Sequence, residues 1–133
     1  MTDIPPVPES HLPLAQAAGV GAFTTIDAGG YPQSSAIWYL LDGDVVRTSL
    51  HRSRQKYRNL LQNPKATLLL IDPADQHRTL EFRGEVSIQD EDAEYSFLRR
   101  LLAHYGQTLE SFSAPLDDRV VITLTPRRVR TNG

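Results

Sequence analysis

The chain has 133 residues, 40% hydrophobic and 23% charged, which suits one globular domain over 1–133 with its own core. A net charge of −2, from 14 basic and 16 acidic residues, argues against a general nucleic-acid binder, and the absence of cysteine excludes disulfides, thiol nucleophiles and thiolate metal sites. No apolar run approaches the roughly 20 residues of a membrane span, and MTDIPPVPES lacks the pattern of a signal peptide, so no membrane partner and a cytoplasmic location are expected.

Residues 1–8, with Pro5, Pro6 and Pro8, read as an extended lead-in. Ser10 is placed to cap a short helix over His11–Ala18 that ends at Gly19. Val20–Asp27 reads as a strand, Ala28-Gly29-Gly30 as a tight turn, and Gln33–Leu41 as a second strand. Asp42-Gly43 signals a hairpin into a third strand, Val45–Leu50. Over Ser53–Gln62 the rhythm becomes helical, with Tyr57, Leu60 and Leu61 on an apolar face, and Asn63-Pro64 stops it. Lys65–Ile71 is apolar enough to expect burial on both faces.

Arg78–Gln89 is a long strand with Gly84 at a bulge or bend. A helix follows Asp90, striped by Ala93, Phe97, Leu98, Leu101, Leu102 and Tyr105, with Glu91 and Asp92 near its start and Gly106 at its end. Val120–Thr125 is the last strand, and 126–133 is a basic C-terminal tail. The fold class is therefore mainly β: an antiparallel barrel of about six strands with two to three short helices.

Charge is uneven along this framework. Between Asp44 and Asp72 there is no acidic residue, while Arg47, Arg52, Arg54, Lys56, Arg58 and Lys65 are all basic. A solvated basic face is one explanation. The other starts from helix electrostatics, because cations in a first helical turn are slightly unfavourable unless an anion sits between them and the free backbone N–H groups. Arg54 and Lys56 hold such positions. Asn59 shares a helix face with Lys56, and Ser53 is placed to cap the helix or donate to the same anion.

Other chemistry is thin. Phosphate-loop, dinucleotide, nucleophile-elbow and zinc-protease motifs are missing, and His11, His51, His77 and His104 show no metal-ligand spacing. No metal is expected. The catalytic residue is unknown: Tyr39 or solvent are the candidates for donating a proton. An anion cradle without acids and bases of its own points to chemistry supplied by a bound cofactor.

These features resemble the FMN-binding split β-barrel superfamily related to pyridoxamine 5′-phosphate oxidase, over about Gly19–Thr125. The resemblance rests on GVGAFTTIDAGGYPQSSAIWYLLDGD, RTSLHRSRQKYRNLLQNPKATLLLID and TLEFRGEVSI. Arg54-x-Lys56-x-x-Asn59 resembles the branch that uses the deazaflavin F420, with FMN as the alternative cofactor. The resemblance implies that the basic positions Arg54 and Lys56 hold the cofactor phosphate, which Asn59 would grip with Lys56 from the same helix face, and that Ser35, Ala36, Ile37, Trp38, Thr48 and Ser49 line its ring.

It also implies a homodimer with cofactor sites at the subunit interface, Arg127, Arg128 and Arg130 reaching the partner's site, and Arg52 and Arg58 meeting the polyglutamate tail. The implied activity is hydride transfer from F420 to a small conjugated acceptor such as a quinone, an enone or a tetrapyrrole. An FMN-dependent reductase or oxidase and a non-enzymatic cofactor carrier are the alternatives. Pyridoxamine phosphate oxidases end in a further Arg/Pro-containing segment that this chain does not show, so B6 oxidation is not expected.

Overall fold

Seven antiparallel strands form a single sheet in the computed structural model, which describes residues 3–133. A 3₁₀ turn (Glu9–His11) and α1 (Leu12–Gln16) precede β1 (Gly21–Ile26), β2 (Pro32–Ile37), β3 (Leu40–Asp42) and β4 (Val45–His51). Then come α2 (Gln55–Gln62), β5 (Lys65–Asp72), β6 (Asp75–Asp90), α3 (Ser96–His104) and β7 (Arg119–Asn132).

Across the sheet the order is β2-β1-β5-β6-β7-β4-β3. The two edge strands, β2 and β3, are consecutive in the chain and separated by Trp38 and Tyr39 alone. The sheet thus curls until its edges meet at that dipeptide, which leaves a split barrel. Phe23, Leu68, Leu70, Leu80, Phe82, Ile122 and Leu124 fill its interior, each no more than 2% exposed.

Several elements differ from the sequence expectation. The second strand breaks in two because the Tyr39 N–H donates to the Tyr105 hydroxyl (3.1 Å) instead of to a neighbouring strand. This is why there are seven strands and not six. The last strand runs past Pro126 to Asn132, pairing with β6, so the expected tail is sheet. Proline is tolerated there because the register shifts at Arg83/Gly84, opposite Pro126. Gly84 is needed at that crossing: a Cβ would stand 2.0 Å from the Thr125 carbonyl oxygen.

Burial on both faces belongs to β7, not to β5. Val120, Ile122 and Leu124 face the barrel, while Val121 packs with Phe97 and Leu101 of α3 and with Leu40. On β5 the outer face is open, and Ile71 is 49% exposed. Ser10 does not cap a helix; its hydroxyl bonds to His11 Nδ1 (2.8 Å). His11 is buried, and its Nε2 lies 3.1 Å from the Asn132 carbonyl. In α2, Leu60 is buried and Tyr57 packs on the core, but Leu61 is 60% exposed, because α2 lays too narrow a face on β1 to cover it.

Candidate functional site

The seam between β2 and β3 opens beside a cavity of about 320 Å³. Ala36, Ile37 and Trp38 line it from the seam, and Thr48, Ser49 and Leu50 from β4. Its other apolar lining comes from Leu98, Leu101 and Leu102 of α3 and from Phe112 and Pro115 in the loop before β7.

This wall is firmly held. Trp38 stacks on Tyr105 with ring centroids 4.3 Å apart and planes 6° from parallel, a geometry that favours a flat platform. The Tyr105 hydroxyl donates to the Gly19 carbonyl at 2.6 Å. Thr48 Oγ1 donates to the Trp38 carbonyl at 2.7 Å, which ties the seam to β4. Seven of the nine expected site residues (Ala36, Ile37, Trp38, Thr48, Ser49, Arg54 and Lys56) therefore line one cavity.

The polar end is the start of α2. Arg54 is its N-cap residue, in extended conformation and without a side-chain cap. The Ser53 hydroxyl is taken by His51 Nδ1 (2.8 Å), so Ser53 lines the cavity but does not cap the helix. Lys56 Nζ donates to Ser35 Oγ at 3.1 Å. Beside them a smaller recess of about 230 Å³ is lined by Gln33, Ser35, Arg54, Gln55 and Lys56, and this is where Ser35 belongs.

Burial, and then the neighbouring Arg54 charge, hold the Lys56 amine below its ordinary pKa. Among the described residues neither Arg54 nor Lys56 makes an ion pair. Uncapped N–H groups and two unneutralised cations at one helix start can hold an oxyanion.

Asn59 is placed differently. Its side chain is buried, with Nδ2 donating to Thr25 Oγ1 (3.0 Å) and Gln33 Oε1 (2.8 Å) and Oδ1 accepting from Gln55 Nε2 (2.8 Å). With its amide committed to β1 and β2, it does not reach the cavity; it fixes α2 against the sheet. Tyr39 is equally unavailable as a proton donor. It is 2% exposed, its hydroxyl points to the Leu14 carbonyl, and burial followed by the Tyr105 neighbour raises its pKa far above the ordinary phenol value.

Arg52 is neutralised by Asp90 and by Asp118 (3.8 Å), while Arg58 donates to the Ser53 carbonyl and to Gln55. His51, Asp117 and Asp118 come together at the surface, the closest His–carboxylate approach being 3.9 Å to Asp117. Arg127 lies 3.6 Å from Glu85 on the neighbouring strand β6.

Two cavity residues had no signal in the sequence. Arg119 opens β7, with Nε donating to Ser49 Oγ (3.0 Å) and its guanidinium 5.1 Å above the Phe112 ring. Only the pairing of β7 with β4, about 70 residues apart, brings Arg119 to Ser49.

None of the curated proteins matches the chain. Among solved structures, one named F420 reductase is 35% identical, with 93% of this chain and 98% of that one aligned at a TM-score of 0.83. A conserved hypothetical protein from Mycobacterium tuberculosis is 22% identical over 99% of this chain and 88% of its own, at a TM-score of 0.73. A heme binding protein from Mycobacterium smegmatis is 22% identical over 96% of this chain and 55% of its own, at a TM-score of 0.66, a likeness of fold alone. The family described as pyridoxamine 5′-phosphate oxidase matches residues 7–133, and with the split barrel and this relative the chain belongs to that family.

Proposed function

We propose that the protein is an oxidoreductase that binds F420 in the seam cavity and serves hydride transfer to a small conjugated acceptor. The observation that carries this reading is the pairing of a flat apolar wall with unneutralised cations at an uncapped helix start. The relative named F420 reductase, at 35% identity over nearly the whole chain, supports F420 over FMN.

The residues present fit such a cofactor. Arg54 and Lys56, with the first N–H groups of α2, would hold the phosphate, and Ser35 orients the Lys56 amine. Ala36, Ile37, Trp38, Thr48 and Ser49 would flank the planar ring. When bound, F420 supplies the hydride; the chain supplies position and a partly dry surface. With Tyr39 buried, the proton that accompanies transfer comes from solvent at the cavity mouth.

The open outer face of β1, β2 and β5 supports a homodimer. Val20, Ala22, Ala36, Leu69 and Ile71 form a small-residue, apolar surface there. Ala36 lines both that surface and the cavity, so a second copy docked on the face would stand at the rim of the cofactor site. Such a copy would cover what a cavity at the small end of ligand sites leaves bare.

Fluorescence titrations of the purified protein with F420 and with FMN test the reading. Micromolar or tighter F420 binding with weak FMN binding is the expected result. The reverse keeps the Arg54/Lys56 phosphate site and makes the protein an FMN enzyme, while binding of neither removes the proposal. Sedimentation at micromolar concentration reads the dimer in the same samples.

A further inference from the structure

Three cations line the cavity, and they are not equivalent. Arg54 and Lys56 also line the recess between α2 and β2, whereas Arg119 does not. Arg119 is fixed from other directions: Nε donates to Ser49 Oγ at 3.0 Å, Nη1 donates to the Pro115 carbonyl at 3.0 Å, and the guanidinium lies over Phe112. These contacts leave Nη2 unused. Among the described residues no carboxylate pairs with Arg119, although the neighbouring Arg52 has two.

Arg119 is partly buried, and burial lowers its pKa first, with the Arg54 charge adding to it against the pull of Glu91. A half-buried guanidinium stays charged, and taking it from water without a counterion is unfavourable. Backbone and hydroxyl acceptors aim it, but they do not neutralise it. Its planar fork, presented beside an aromatic ring, suits a carboxylate attached to a flat apolar body.

We infer that Arg119 binds a carboxylate carried by the hydride acceptor, so that the acceptor is an anionic conjugated compound and not a neutral one. The inference rests on the cofactor reading above. It gives the cavity two anion positions: the Arg54/Lys56 end with its recess for the cofactor phosphate, and the Arg119/Phe112 end for the acceptor. Ser49, expected beside the cofactor ring, is the residue that holds Arg119, so the acceptor carboxylate would be anchored close to the ring.

Calorimetric titration of F420-loaded protein with a matched pair of quinones tests this. One is 2-methyl-1,4-naphthoquinone, and the other is the same ring bearing a propionate side chain. The carboxylated quinone is expected to bind at least about tenfold more tightly, the scale of one charge-assisted hydrogen bond. Arg119→Gln should bring the two affinities within about twofold of each other. Arg119→Lys, which keeps the charge, should retain part of the preference and covers the case of a Gln variant that does not fold.

Equal affinities in the unaltered protein would overturn the inference, as would a preference that survives Arg119→Gln. A loss of F420 affinity in Arg119→Gln as large as in Lys56→Ala would also overturn it, by assigning Arg119 to the cofactor phosphate. Failure of F420 to bind is read in the separate cofactor titration. The same quinone pair is then applied to FMN-loaded or cofactor-free protein, so the two ideas fail independently.

Discussion

The helices α2 and α3 are of similar length, each lays an apolar face on the sheet, and they start in opposite ways. At α3, Asp92 Oδ1 accepts the N–H of Ser96 (2.9 Å) and Glu91 Oε1 accepts that of Leu98 (2.8 Å), so carboxylates meet the positive end of the helix. At α2 no side chain caps the first turn, and Arg54 and Lys56 add positive charge to an end that is already positive. The α3 start is settled by the chain itself. The α2 start has no such partner in the chain, and on the function proposed above the cofactor phosphate would take that place. A local rule broken in one helix but obeyed in the other is the pattern expected where a fold gives up stability for binding.

Variants can break that contrast, and the largest effect comes from the face that α2 shares with any structural helix. Leu60→Ala should cost about 2–5 kcal/mol of stability in chemical denaturation, since Leu60 is 3% exposed. A loss below about 1 kcal/mol would mean that the helix face is misassigned. Lys56→Ala should weaken F420 binding by about 1.5–3 kcal/mol, the scale of a hydrogen bond to a charged group, with stability nearly unchanged. Affinity that does not move would leave α2 an ordinary helix with a basic surface.

Arg54→Ser sharpens the comparison, because it gives α2 the cap it lacks. Stability should rise by about 1 kcal/mol in the same denaturation experiment. The cofactor titration should then show affinity falling roughly tenfold. A variant that gains stability and keeps its affinity would separate the helix start from the ligand.

The smallest effect belongs to α3. Backbone and side-chain hydrogen bonds from Ser96 hold the Asp92 carboxyl below its ordinary pKa. Its contribution to stability is therefore full above about pH 4 and fades as pH falls through the lowered folded value. The stability gap between the unaltered protein and Asp92→Asn should be open at pH 6, close in strong acid, and leave cofactor affinity untouched.

How much of this was legible in the sequence follows from the reach of each interaction. The hairpin at Asp42-Gly43, the bulge at Gly84 and the helix stop at Gly106 depend on backbone conformations that neighbouring residues announce, and Gly43 and Gly106 do take positive φ. The basic start of α2 was equally readable, because charge near a helix end is a local property. What escaped depends on distant partners. The break after Ile37 answers to Tyr105, the burial of Asn59 to Thr25 and Gln33, and the place of Arg119 to Ser49. The extension of β7 through Pro126 needed the knowledge that Gly84 lies across from it.

The stack of Trp38 on Tyr105 has a consequence for how the chain assembles. Trp38 is the sole tryptophan, and its ring meets a residue 67 positions later, just past the end of α3. Trp38 sits where the two sheet edges meet, while Tyr105 packs with the smaller apolar cluster of Phe97, Leu101 and Val121 under α3. During refolding, the indole therefore changes surroundings at the moment when α3 docks and the edges close, and not when the long strands β6 and β7 pair. A stopped-flow trace at tryptophan wavelengths would time barrel closure by itself, and a lag behind the far-ultraviolet signal would place that closure last.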